Sequence, residues 1–160
     1  MKGRYQKILG ISIMVLCAGI LIWLLLPRSF SSAMGKGFEP DRFLGVDATL
    51  IAVPTEAPFE HRILTVDLQD STDELLALLN QRNYIPLPMP GNTRQLTLTY
   101  EVHLCFSVPD GVYCMRFTGD DPIEMTASTP ETGFRERSYR TAGGQAFQQE
   151  ILDFLLKQAV

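Results

Sequence analysis

Residues 8–26 contain no charged side chain, and as a helix those nineteen residues would rise about 28 Å, close to the roughly 30 Å apolar core of a bilayer. That run constrains the chain more than any other stretch. Lys2, Arg4 and Lys7 precede it without an acid among them, whereas Glu39 and Asp41 soon follow Arg28 and Lys36 on the far side. By the positive-inside bias this asymmetry predicts a cytoplasmic N-terminus. Trp23 suits a headgroup boundary, and Pro27 a helix stop. The competing expectation is a signal peptide cut near Ala33, where Ser31-Ser32-Ala33 supplies small residues, although the apolar run is longer than such segments usually are. Cys17 lies inside the run and reads as a small apolar residue of the helix.

The division that follows is a basic tail over 1–7, a transmembrane helix over 8–27, a flexible linker over 28–41 and a folded domain over 42–160. About 120 residues form one ordinary domain able to bury a core. The chain has 14 basic and 18 acidic residues; removing Lys2, Arg4 and Lys7 leaves eleven cations against all the anions. An acidic domain excludes nucleic acid, which needs a basic footprint. A Ser- and Gly-rich linker of 14 residues would reach about 20 Å.

Strands are predicted over 48–53 and 62–68 from their alternating apolar residues. Ser71-Thr72-Asp73-Glu74 fits a capping box opening a helix, with Leu75, Leu76 and Leu79 as its apolar stripe. Residues 84–90 read Tyr-Ile-Pro-Leu-Pro-Met-Pro, and prolines at alternate positions deny backbone donors to a neighbour, the signature of a protected sheet edge. Over 96–108 apolar Leu96, Leu98, Tyr100, Val102, Leu104, Phe106 and Val108 alternate with polar residues, so one face is core and the other wet. Pro109-Asp110-Gly111 makes a turn in which Gly111 would accept positive φ. Return strands follow over 112–118, 123–127 and, with a weaker pattern, 134–141. Phe147, Ile151, Phe154 and Leu155 mark a last helix over 145–158, widened by Leu152 and Leu156. The fold class expected is therefore α+β: an N-terminal transmembrane helix, then a small, mainly antiparallel sheet with two amphipathic helices on one face.

Catalytic chemistry finds little support. His61 and His103 are the only histidines, and neither lies in a nucleophile motif. Asp120-Asp121 precede Pro122 as turn residues. Gly35-Lys36-Gly37 and Gly143-Gly144 lack the context of a phosphate loop. Two constellations stand out. Arg135, Arg137 and Arg140 crowd one strand, which would set Arg135, Arg137 and Tyr139 on one face to grip a carboxylate, a phosphate or an acidic partner; a solvated edge strand is the plainer alternative. His103, Cys105 and Cys114 share the wet face if the hairpin follows its core pattern. They would serve as a disulfide with a bystander histidine, or as three ligands of a soft metal that lacks a fourth. A Gly-bulge turn would instead send the two thiols to opposite faces. The core pattern favours a Cys105–Cys114 disulfide and no metal.

The sequence thus predicts a single-pass protein of the cell membrane, N-terminus cytoplasmic and domain outside. Its partners are the membrane through 8–27 and another envelope protein or an anionic ligand. It has no reaction of its own and no cofactor. The alternatives are a small envelope enzyme or inhibitor with a dispersed site, and a secreted binding protein released near Ala33.

Overall fold

The computed structural model describes residues 2–52, 62–88, 98–119 and 122–159, with residues 2–8 and 24 described as backbone. Among the described residues four helices, α1 (Lys2–Leu25), α2 (Phe30–Met34), α3 (Thr72–Asn80) and α4 (Gly144–Gln158), accompany seven strands. The strands are β1 (Gly45–Ala52), β2 (Ile63–Asp67), β3 (Tyr84–Pro86), β4 (Tyr100–Val108), β5 (Gly111–Phe117), β6 (Ile123–Thr129) and β7 (Gly133–Thr141). They form one antiparallel sheet in the order β2-β1-β4-β5-β6-β7-β3.

The expected transmembrane helix over 8–27, and with it the single-pass signal anchor, is overturned. Among the described residues no helix is long and apolar enough to cross a membrane. α1 runs over Lys2–Leu25, so Lys2, Arg4 and Lys7 belong to the same helix as the apolar run. Its apolar side chains, Leu9, Met14, Leu16 and Trp23 among them, are exposed.

Strand alternation sets the core. Val46, Ala48 and Leu50 of β1, Val102, Leu104, Phe106 and Val108 of β4, Tyr113, Met115 and Phe117 of β5, and Ile123, Met125 and Ala127 of β6 are all buried on the side that the helices cover. Leu75, Leu76, Leu78 and Leu79 of α3 and Phe147, Ile151, Leu152 and Leu155 of α4 close that side. The sheet has seven strands and its covered face takes more than two helices, because the chain before β1 also packs there. Residues 28–41, expected as a flexible tether, include α2, and Phe30, Ala33, Met34 and Phe38 are buried. Phe30 and Phe38 stack edge to face at 5.4 Å, and Phe38 meets Phe106 and Tyr113 at 5.2 and 5.3 Å. The Tyr113 hydroxyl donates to the Lys36 carbonyl at 2.9 Å. Small-residue composition suggested a linker, but four apolar side chains spaced along it outweigh the conformational entropy lost in ordering it.

The capping box at Ser71 does not form. Residues Gln69–Ser71 make a 3-10 turn that runs directly into α3, leaving Ser71 at φ -114°, ψ 14° with no side-chain cap bond. The turn is held instead by the Asp67 carboxylate accepting from the Gln69 amide at 3.0 Å and by the Thr72 hydroxyl donating to the Leu68 carbonyl at 2.8 Å. The hairpin turn is also a correction. Its register pairs Val108 with Gly111, so Pro109 and Asp110 alone make the loop. Gly111 does not have positive φ; a Cβ there would lie 2.1 Å from the Ser128 carbonyl oxygen, so glycine is required by the close approach of the neighbouring strand.

β3 ends the sheet at one side, with Pro86 and Pro88 in and beyond it. Arg28 adds an isolated bridge to Tyr84, its amide and carbonyl each bonding at 2.8 Å. The expected strand over 96–108 is observed over Tyr100–Val108, with residues 89–97 outside the described residues.

Candidate binding surfaces

The register of β6 with β7 opposes Ala127 to Arg135, Met125 to Arg137 and Ile123 to Tyr139. Arg135, Arg137 and Tyr139 therefore share the helix-covered side, and Arg140 points to the other. Of these four, Tyr139 is fully buried, and its hydroxyl donates to the Ala33 carbonyl at 3.0 Å. Arg135 donates to the Ala33 carbonyl at 2.9 Å and the Met34 carbonyl at 3.3 Å. A guanidinium is suited to the open carbonyls at a helix C-terminus. Gly35, at φ 117°, leaves room for it, since a Cβ there would lie 2.9 Å from the guanidinium nitrogens. Arg135 and Tyr139 thus hold α2 onto the sheet, Arg140 is exposed on the far side, and only Arg137 of the set is an exposed guanidinium on the helix side.

Arg137 lines a groove of about 670 Å³ together with Leu21 and Leu25 of α1, Arg28, Pro86, Leu87, Pro88, Glu136 and Ser138. Among the described residues neither Arg28 nor Arg137 has an ion pair. Burial and then the neighbouring Arg137 lower the pKa of Arg135, and Arg28 acts in the same direction. Three guanidiniums therefore lie within electrostatic reach of one another in an acidic chain. The leucines of α1 and β3's prolines give the groove an apolar wall. Sequence reading missed Arg28 because it stands more than a hundred positions from Arg137; only the β3–β7 pairing and the Arg28–Tyr84 bridge bring them together.

The opposite sheet face carries a second polar surface. β4 and β5 set Cys105 directly across from Cys114 and His103 across from Arg116. On the flanking strands Asp47 faces Cys105, Thr126 faces Cys114 and Glu124 faces Arg116. Arg116 pairs with Glu124, lies 3.8 Å from Glu101, and Glu101 bonds His103 at 2.8 Å. These contacts occupy the histidine on the open face, where Thr49 of β1 lies directly across from it. The two sulfurs are 2.6 Å apart, both half-buried. Their hydrogen bond holds Cys105 below the ordinary thiol range, against burial and Asp47, and the same bond followed by burial pushes Cys114 up. Among the described residues no group of three or more His, Cys, Asp or Glu side chains is placed to hold a metal ion. His61, Asp120 and Asp121 lie outside the described residues.

No protein-family model, curated protein or solved structure matches this chain.

Proposed function

We propose that this chain is a binding module without a reaction of its own, and that the groove between α1, β3 and β7 receives a carboxylate-bearing segment of a partner protein. The supporting observation is the pair Arg28 and Arg137: two guanidiniums from distant parts of the chain line one groove without an ion pair among the described residues. Planar forks of that kind grip carboxylates bidentately, and the wall of Leu21, Leu25 and Leu87 gives an adjoining apolar side chain a place to lie. An acidic chain carrying an isolated cationic groove discriminates well, because its remaining surface repels what the groove attracts.

Fluorescence anisotropy with a labelled oligoglutamate peptide tests it on the full chain. Binding should weaken as salt rises, and Arg28→Ser with Arg137→Ser should reduce affinity roughly tenfold or more per guanidinium, as expected for charge-assisted contacts of about 1.5–3 kcal/mol. Equal affinity of the double variant and the parent chain would remove the groove from the binding function.

A further inference from the structure

We propose that Cys105 and Cys114 are a reversible thiol–disulfide site on the open sheet face, oxidised by a low-molecular-weight disulfide of the glutathione class. The two residues are direct cross-strand partners, and their sulfurs are already 2.6 Å apart. A bridge needs the sulfurs to close from 2.6 Å to a bond of about 2.05 Å. Directly opposed strand residues keep their Cβ atoms about 4.5–5.5 Å apart, while a relaxed disulfide brings them to about 3.8 Å. Strands held on both outer sides, as β4 is by β1 and β5 by β6, resist closing that difference. A bridge formed under such constraint, and half-open to solvent, belongs to the labile disulfides rather than the reduction-resistant ones.

The two sulfurs lie within hydrogen-bond distance, and either thiol can donate to the other, so each can stabilise its partner as the thiolate. The thiolate is the nucleophile in exchange. The thiolate of one cysteine attacks one sulfur of the small disulfide, an S–S bond breaks, and one small thiolate leaves. The other cysteine then gives up its proton and attacks the first cysteine's sulfur; the mixed disulfide breaks, the Cys105–Cys114 bond forms, and the second small thiolate leaves. The protein loses two electrons and two protons, and the small disulfide becomes two thiols. No metal or further oxidant enters.

The full chain, equilibrated across ratios of reduced to oxidised glutathione and then alkylated, tests the proposal by mass. In oxidising mixtures Cys105 and Cys114 should both escape alkylation within one chain, and excess reduced glutathione should restore both without denaturant. Cys114→Ser should accumulate a glutathione adduct on Cys105, and Cys105→Ser one on Cys114, because neither variant keeps a thiol to resolve the mixed disulfide. Alkylation of both Cys105 and Cys114, in addition to Cys17, at every ratio would overturn the site. A bridge that native protein keeps against reduced glutathione would overturn its reversibility.

Discussion

Arg135, Arg137 and Arg140 have the same chemistry and occupy one strand, yet each does something different. Spacing alone showed that Arg135, Arg137 and Tyr139 share a face; it did not show which face, because the strand has no apolar alternation to orient it. The answer lies in the carbonyls of Ala33 and Met34, more than a hundred residues away, which accept from Arg135. Arg135→Ser should therefore destabilise the fold by about 1–3 kcal/mol, since it strips partners from carbonyls at a buried helix end. Arg140→Ser, on an exposed position, should stay within about 0.5 kcal/mol. Urea denaturation of the two variants separates them, and equal effects would show that Arg135 does not secure α2. Tyr84 supplies a second residue-level test. It is fully buried, its hydroxyl donates to the Leu79 carbonyl at 3.0 Å, and burial raises its pKa well above the usual phenol value. The unfolded chain releases that proton first, so the contribution of Tyr84 is complete below about pH 10 and is lost as pH rises further. Tyr84→Phe should flatten the alkaline decline in stability, measured against its own value at neutral pH; an unchanged decline would assign it to other groups.

At the scale of elements, what was legible depended on whether apolar alternation was strong enough to overrule local turn chemistry. In β4 and β5 it was: Leu104, Phe106, Tyr113 and Met115 must all face the core, and a slip of one residue would reverse every one of them. Gly111 was visible as a turn residue for the wrong reason. Its backbone is ordinary, and the constraint is the Ser128 carbonyl 2.1 Å from where a Cβ would sit, a relation between strands that no local pattern records. Gly111→Ala should destabilise by about 1–3 kcal/mol, the typical cost of overpacking, and the amides of β5 and β6 near Val112 and Ser128 should lose hydrogen-exchange protection first. Uniform loss across the sheet would show a general effect instead. Ser71 failed as a helix cap for a similar reason, since the 3-10 turn before α3 settles the backbone before a side-chain cap can act.

For the molecule as a whole, the decisive question is where the domain begins. Composition placed that boundary at residue 42, because Ser and Gly are frequent from Arg28 onward and apolar residues there are sparse and aperiodic. Sparse does not mean dispensable. Phe30 is fully buried and touches Phe38, Tyr84 and Phe106, while Phe38 adds Phe43 and Tyr113. Removing a buried Phe costs about 3–5 kcal/mol, and removing two along with Ala33 and Met34 approaches the whole 5–15 kcal/mol by which domains are ordinarily stable. The loss also strands the Tyr139 hydroxyl and the Arg135 guanidinium, both of which bond the carbonyls of α2. A chain starting at Arg28 keeps all of these contacts and the Arg28–Tyr84 bridge, so it should unfold cooperatively; a chain starting at Arg42 should show no cooperative melt by circular dichroism and should bind a hydrophobic dye. Addition of a synthetic peptide of residues 28–41 should restore part of the transition if the segment acts by packing. An Arg42 start that melts as sharply as the longer chain, at a similar temperature, would return 28–41 to the status of a tether and leave the core of this domain in the sheet, α3 and α4 alone.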